Sequence, residues 1–410
     1  MPAETSKPAG IGQDARILTL IGTGHFLSHF YMLTLPPLFL FWREEFGASF
    51  AELGLAVALM SGTTALLQTP VGFWVDRYGA RRFLVSGTLL MALSVSAMAA
   101  APGIWAIWLL SILSGVGNSV IHPADYAILA GSIDKSRMGR AFAMHSFTGN
   151  LGFALAPPVI ALLAAATGWR WSLLLVGLLG VPVVIAILVQ SRILQDQPKV
   201  RKAEGGPSGR ELLLSRPMLL FFAFFLLSSM AGSGVQAWVI TVLGKLWGTP
   251  VAVASMVLTG YMVGATAGTL VGGWVADTSK RNLIGFVTML TVFAMAMFLA
   301  LGLLPMPELL LPVVGLLGGL AMGTSRTPRD VMLKDAAPPG EIGKVFGFVS
   351  AGLPLGGAIT PVPLGYLIDI GHPGLVLPVV AVLLGLSLLC AGSAQTRTRS
   401  TKPAAAIPAE

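Results

Sequence analysis

Gly72-Phe-Trp-Val-Asp76-Arg77-Tyr-Gly79-Ala-Arg81-Arg82 lies between two long apolar runs, and a degenerate copy, Gly273-Trp-Val-Ala-Asp277-Thr-Ser-Lys280-Arg281, follows about 200 residues later. In each copy a glycine precedes an aspartate by four residues, and cations follow within five more. An acid ending one membrane helix and cations opening the next can pair across a short loop, and glycine lets the helices approach closely. Gly72, Asp76, Arg77, Arg81 and Arg82, with Asp277, Lys280 and Arg281, are therefore candidates for a latch.

The surroundings set the class. Apolar residues make up 55% of the chain and charged residues 11%, and the mean hydropathy is +0.80. A soluble domain carries roughly 25% charge. Twelve apolar segments, from 16–41 to 374–393, are long enough to cross a bilayer, which takes about 20 residues. The fold expected is all-α and polytopic, with twelve transmembrane helices in two six-helix bundles.

The halves resemble each other beyond the latch. His122-Pro123-Ala124-Asp125 matches Thr327-Pro328-Arg329-Asp330, Gly139-Arg140 matches Gly343-Lys344, and Gly152 with Pro157 matches Gly356 with Pro361, in order and at a near-constant offset. The organisation expected is a tail over 1–15, a bundle over 16–193, a polar linker over 194–215, a second bundle over 216–393 and a tail over 394–410. Glycine and proline near Gly149, Gly152, Pro157 and Pro158, and again near Gly352, Gly356 and Pro361, are expected to let helices bend where the halves close.

The formal charge of +8 does not point to nucleic acid. With a cytoplasmic amino terminus, every Lys and Arg except Arg43, Arg170, Lys245, Arg326 and Arg329 falls in cytoplasmic loops or tails, the positive-inside asymmetry. Both termini are then cytoplasmic, and a prokaryotic inner membrane fits the short loops. The one cysteine, Cys390, excludes an intrachain disulfide. No Gly-Lys nucleotide loop is present, and no cofactor is expected.

Ionisable groups inside a membrane are expensive and therefore functional candidates. His25 and His29 stand one turn apart in the first segment. The fourth carries Asn118, His122 and Asp125 on one side, and the tenth carries Arg326, Arg329 and Asp330. Arg326 must pair with Asp330, with Asp125 or with a substrate anion, since an unpaired arginine there costs several kcal/mol (about 2.5–3.5 on insertion scales). Each histidine has a competing reading as a satisfied core group. For His145, close to Arg140, the core reading is the stronger one.

The latch resembles the loop signature of the major facilitator superfamily, and the parallel repeats resemble its architecture. That likeness implies alternating access, a central cavity lined by segments one, four, seven and ten, a monomer and no enzymatic activity. Gly24-His25-Phe-Leu-Ser-His29-Phe-Tyr31 and Gly115-Val-Gly117-Asn-Ser119-Val-Ile-His122-Pro123 resemble the fosmidomycin-resistance branch, which exports small anionic or amphipathic compounds against protons. His29 stands where that branch has an acid, and Asp125 falls one place late.

The function expected is proton-coupled export of a small organic anion, with the lipid bilayer as surroundings. Arg326, His25, His29, Asn118, His122 and Tyr31 are the candidate substrate contacts. His122, Asp125, His25 and Asp330 are candidate proton carriers, free histidine titrating near about 6.5. Facilitated or proton-driven import of a carboxylate is the alternative within transport. From another class, His25, His29 and His122 suit a metal; no metal ligand is assigned, because no cysteine or glutamate set accompanies them.

Overall fold

In the computed structural model the described residues are 11–133, 137–195, 214–278, 283–337, 345 and 348–401, and they are helical throughout with short connections. The first half comprises α1 (Ile11–Met32), α2 (Phe39–Phe46), α3 (Phe50–Tyr78), α4 (Ala80–Met98), α5 (Ile104–Ser119), α6 (Ile121–Ser132), α7 (Met138–Thr167), α8 (Trp169–Leu178) and α9 (Gly180–Val189). The second comprises α10 (Arg216–Trp247), α11 (Val251–Thr278), α12 (Leu283–Leu303), α13 (Leu311–Thr324), α14 (Arg326–Ala336), α15 (Gly352–Ile359), α16 (Pro361–Asp369) and α17 (Val376–Thr401). The pairs α5–α6, α8–α9, α13–α14 and α15–α16 each make one broken span. With α2 as a short connecting helix, the twelve membrane segments are recovered.

Among the described residues, nine spans are long and apolar enough to cross a membrane by length and composition. The other three, α1, α4 and α13–α14, carry the polar groups singled out in the sequence or the latch arginines. Helix α1 begins at Ile11, inside the stretch expected to be a tail, and α17 runs on to Thr401. Linker residues 196–213 and the chain ends lie outside the described residues.

The breaks in the fourth and tenth spans share one cause. Pro123 lacks the N–H that would bond the carbonyl of Ser119, where α5 ends, and Pro328 lacks the one for Thr324, where α13 ends. The ladder resumes at the next residue in both: the Ala124 N–H donates to the Val120 carbonyl (3.0 Å) and the Arg329 N–H to that of Ser325 (3.1 Å). Pro182 stands in the same relation to the end of α8 at Leu178. Pro157 and Pro158, expected to bend α7, sit inside an uninterrupted helix.

The halves meet where α3 packs on α15 and α16, and where α7 packs on α11. At one end of the molecule α3 and α16 touch through glycines. A Cβ on Gly54 would lie 2.6 Å from the Pro361 carbonyl oxygen, and one on Gly365 would meet the carbonyl oxygen of Phe50. The Asp369 carboxylate accepts from the Phe50 N–H (2.7 Å) and the Ala51 N–H (2.8 Å). Arg43 Nη1 reaches the same carboxylate at 3.4 Å, and its guanidinium covers the Phe50 ring. A second-half acid thus caps the first turn of a first-half helix, and this end of the interface is shut.

Hydrogen bonds to a charged acceptor contribute roughly 1.5–3 kcal/mol each, so Asp369 biases the closed state. In a Cys390→Ser background carrying Leu33→Cys beside the cavity, Asp369→Asn is expected to raise maleimide labelling from this side several-fold. An unchanged labelling rate would show that the carboxylate does not hold the end shut.

Candidate functional site

A cavity of about 440 Å³ lies between the halves. Polar side chains reach it along helical stripes: Ser61, Thr64 and Gln68 from α3, and Ser229, Ser233 and Gln236 from α10. These spacings of three and four place each set on one face. Sequence reasoning missed both stripes, although polar residues at helical spacing inside apolar runs mark them. The signal is weaker than that of a charge because a hydroxyl can satisfy itself on its own helix, as Thr64 Oγ1 does by donating to the Met60 carbonyl at 2.9 Å.

Four of the residues expected at the substrate line this cavity: Arg326, His29, His122 and Asn118. Asn118 donates from Nδ2 to Thr64 Oγ1 and Met32 Sδ, both at 3.4 Å. Tyr31 does not join them. It is 1% exposed, and its hydroxyl faces the carbonyls of Val176 and Gly177 at 3.2 Å. A tyrosine turned into the bundle anchors the break between α8 and α9, so the expected substrate role gives way to a structural one.

Arg326 is resolved by elimination. Asp330 is taken by its neighbour Arg329, whose Nε and Nη2 donate to Oδ1 at 3.1 and 3.0 Å and whose guanidinium lies 4.0 Å from the Phe225 ring centre. Asp125 is taken by His145, with Nε2 and Oδ2 2.9 Å apart. Neither expected acid is left for Arg326, and among the described residues no carboxylate pairs with it. Asp330, expected to carry protons, is instead the counter-ion of Arg329, and Arg329 also borders the cavity.

At the cavity wall and behind it, four imidazoles and one carboxylate form a cluster. His25 is 2% exposed, His145 2% and Asp125 0%. The His25 and His145 rings stack with centres 3.6 Å apart. His25 stands 4.4 Å from His29 and 5.0 Å from His122. The His25 Nδ1 lies 2.8 Å from the His145 carbonyl oxygen, which can only accept, so Nδ1 carries the proton and a neutral His25 keeps its lone pair on Nε2. His145, expected to be a core group, is the bridge between Asp125 and the other histidines. The signal for it was weak, because its partner Asp125 lies on another helix.

Packing makes this possible. A Cβ on Gly149 would lie 2.5 Å from His25 Cε1 and 2.9 Å from His29 Cε1, so α7 comes close to α1 only because residue 149 has no side chain. Gly149→Ala is expected to displace these rings and cost about 1–3 kcal/mol by overpacking, read as a lower thermal midpoint. An unchanged midpoint would mean the rings can give way freely.

The latch is described in part. Arg81 Nη1 donates to the Ser191 carbonyl at 3.0 Å, and Arg77 lies over the Tyr78 ring. Gly72 and Arg82 are described without a latch contact, and the side chains of Asp76 and Asp277, with all of Lys280 and Arg281, lie outside the described residues.

The model of the Major Facilitator Superfamily matches residues 21–246 and 226–408, together nearly the whole chain. The chain belongs to the Major Facilitator Superfamily. It is 25% identical over 386 residues to the fosmidomycin resistance protein of Escherichia coli, covering 91% of each chain. It is also 31% identical over 193 residues, 46% of this chain and 35% of the relative, to a multidrug resistance protein B homolog of Mycobacterium tuberculosis. Among solved structures it superposes on a bacterial homolog of the human lysosomal transporter Spinster with a TM-score of 0.77 at 13% identity, covering 97% of this chain and 100% of that one. The nucleoside transporter NupG superposes at 0.76 and 15% identity, covering 94% and 99%. The expectations of superfamily, all-helical fold, multi-pass membrane placement and non-enzymatic transport are met. The protein is a secondary transporter of a small solute.

Proposed function

We propose that this transporter exports a small organic anion in exchange for protons across the inner membrane, with both termini cytoplasmic. The observation that carries the reading is Arg326: it lines the inter-half cavity, and both acids that could have neutralised it are engaged elsewhere. A guanidinium presents a planar fork suited to carboxylate, phosphonate or sulfonate. Serine, threonine and glutamine side chains on the opposite walls supply neutral donors for the rest of such a solute. The resistance relatives named above support export.

The buried Asp125–His145 pair supports proton coupling. A carboxylate and an imidazole 2.9 Å apart can share one proton, and the stacked His25 connects them to His29 and His122 on the cavity wall. In this reading a proton enters by the cavity histidines and is held at Asp125 and His145 while the cavity changes sides.

Two measurements test this. Small carboxylates, phosphonates or sulfonates are expected to stabilise the purified protein by about 2.7 kcal/mol at a hundredfold excess over Kd, read as a higher thermal midpoint. The effect should vanish in Arg326→Ala and persist in part in Arg326→Lys. Stabilisation by cations alone, or by anions equally in Arg326→Ala, would remove the anion assignment. In proteoliposomes Asp125→Asn is expected to keep solute exchange while losing accumulation driven by a pH gradient. Undiminished accumulation would remove Asp125 from the coupling path, and accumulation with the proton flow, not against it, would make the protein an importer.

A further inference from the structure

His25, His29 and His122 have a second property that proton transfer does not account for. One ring nitrogen from each lies within 4.8 Å of the other two. Among the described residues, His25 Nε2, His29 Nδ1 and His122 Nδ1 are all buried and all without a hydrogen-bond partner. A buried polar atom left unpaired costs about 1–3 kcal/mol, and three of them facing one region is an arrangement that a ligand repays.

The chemistry of the set is specific. Three neutral imidazole nitrogens suit zinc, cobalt, nickel or copper(II) better than calcium or magnesium, which take oxygen ligands. With metal–nitrogen bonds of about 2.0–2.1 Å, tetrahedral geometry places the nitrogens about 3.4 Å apart. From within 4.8 Å the nitrogens have to close by up to about 1.4 Å to reach that spacing. The outer contact that a metal-binding histidine uses is already in place: the His25 Nδ1–H donates to the His145 carbonyl at 2.8 Å, which turns the free lone pair of Nε2 towards the other two rings.

We propose that His25, His29 and His122 form a three-imidazole site for a divalent transition-metal ion on the wall of the central cavity, with its remaining position open to that cavity. His29 and His122 border the cavity while their Nδ1 atoms are covered, so the ion would sit just behind the wall of the space that also holds Arg326, with its open position on that side. A fourth ligand can therefore be water or an anionic group of a solute. Metal and proton take the same lone pairs, so occupancy by one excludes the other.

The test uses the full chain, purified in detergent, with any affinity tag removed, and titrated with cobalt(II). Binding of one equivalent with the intense visible absorption of a four-coordinate cobalt ion is expected, with displacement by zinc. The absorption should be lost in His25→Gln, His29→Gln and His122→Gln and retained in His372→Gln, the histidine outside the cluster. It should also survive in Arg326→Ala, which separates failure of the anion reading from failure of this one. No cobalt binding by the folded wild-type protein, or equal binding by the three variants, would overturn the proposal. Should a variant fail to fold, zinc protection of wild-type His29 and His122 against diethyl pyrocarbonate, read by mass spectrometry with His372 as reference, decides the matter. Protection supports the site, and its absence overturns it.

Discussion

A charged group inside an apolar bundle must find a partner, and the supply of partners in this protein is short. Two buried or cavity-edge acids, Asp125 and Asp330, are taken by His145 and Arg329, and neither pairs with Arg326. Once His145 and Arg329 have been satisfied, Arg326 is left facing the cavity. The cavity is defined by which charges the protein neutralises for itself and which it leaves on the wall.

The helix breaks place these groups. Pro123 and Pro328 interrupt the fourth and tenth spans at equivalent points, and the segments that follow, α6 and α14, carry His122 with Asp125 and Arg326 with Arg329. Freed carbonyls and a change of direction at such a break let side chains of a membrane helix enter the space between the halves without exposing the backbone to lipid. One device, repeated by internal duplication, gives the first half a histidine-bearing wall and the second half an arginine-bearing one.

The two contacts between halves differ in kind. At the closed end, Asp369 reaches across to the first turn of α3, and Gly54 and Gly365 allow backbone to meet backbone. Such an interface is held by a few directional bonds over close-packed small residues, so it can come apart as a unit. Deeper in the first half, Gly149 serves a different end, pressing α7 on α1 so that His145 and His25 stack. The same residue type serves the seam between the halves in one place and a packed cluster within one half in another.

Much of the fold was legible in the sequence because its causes are local. Hydrophobic runs and the duplicated motifs determined the number of segments and the division into halves, whereas the breaks at Pro123 and Pro328 in the fourth and tenth spans emerged only in the structure. Arg326, His29, His122 and Asn118, which line the cavity, were legible as candidates because a polar group in an apolar run has few roles open to it. The partners were not. That His145 would hold Asp125, that Arg329 and not Arg326 would take Asp330, that Tyr31 would turn to the carbonyls behind α8, and that Asp369 would cap α3 were decided by tertiary structure. Each depends on how far a helix is rotated about its axis and slid along it. Those two quantities are set by close packing over whole helix faces, not by the residues that end up touching.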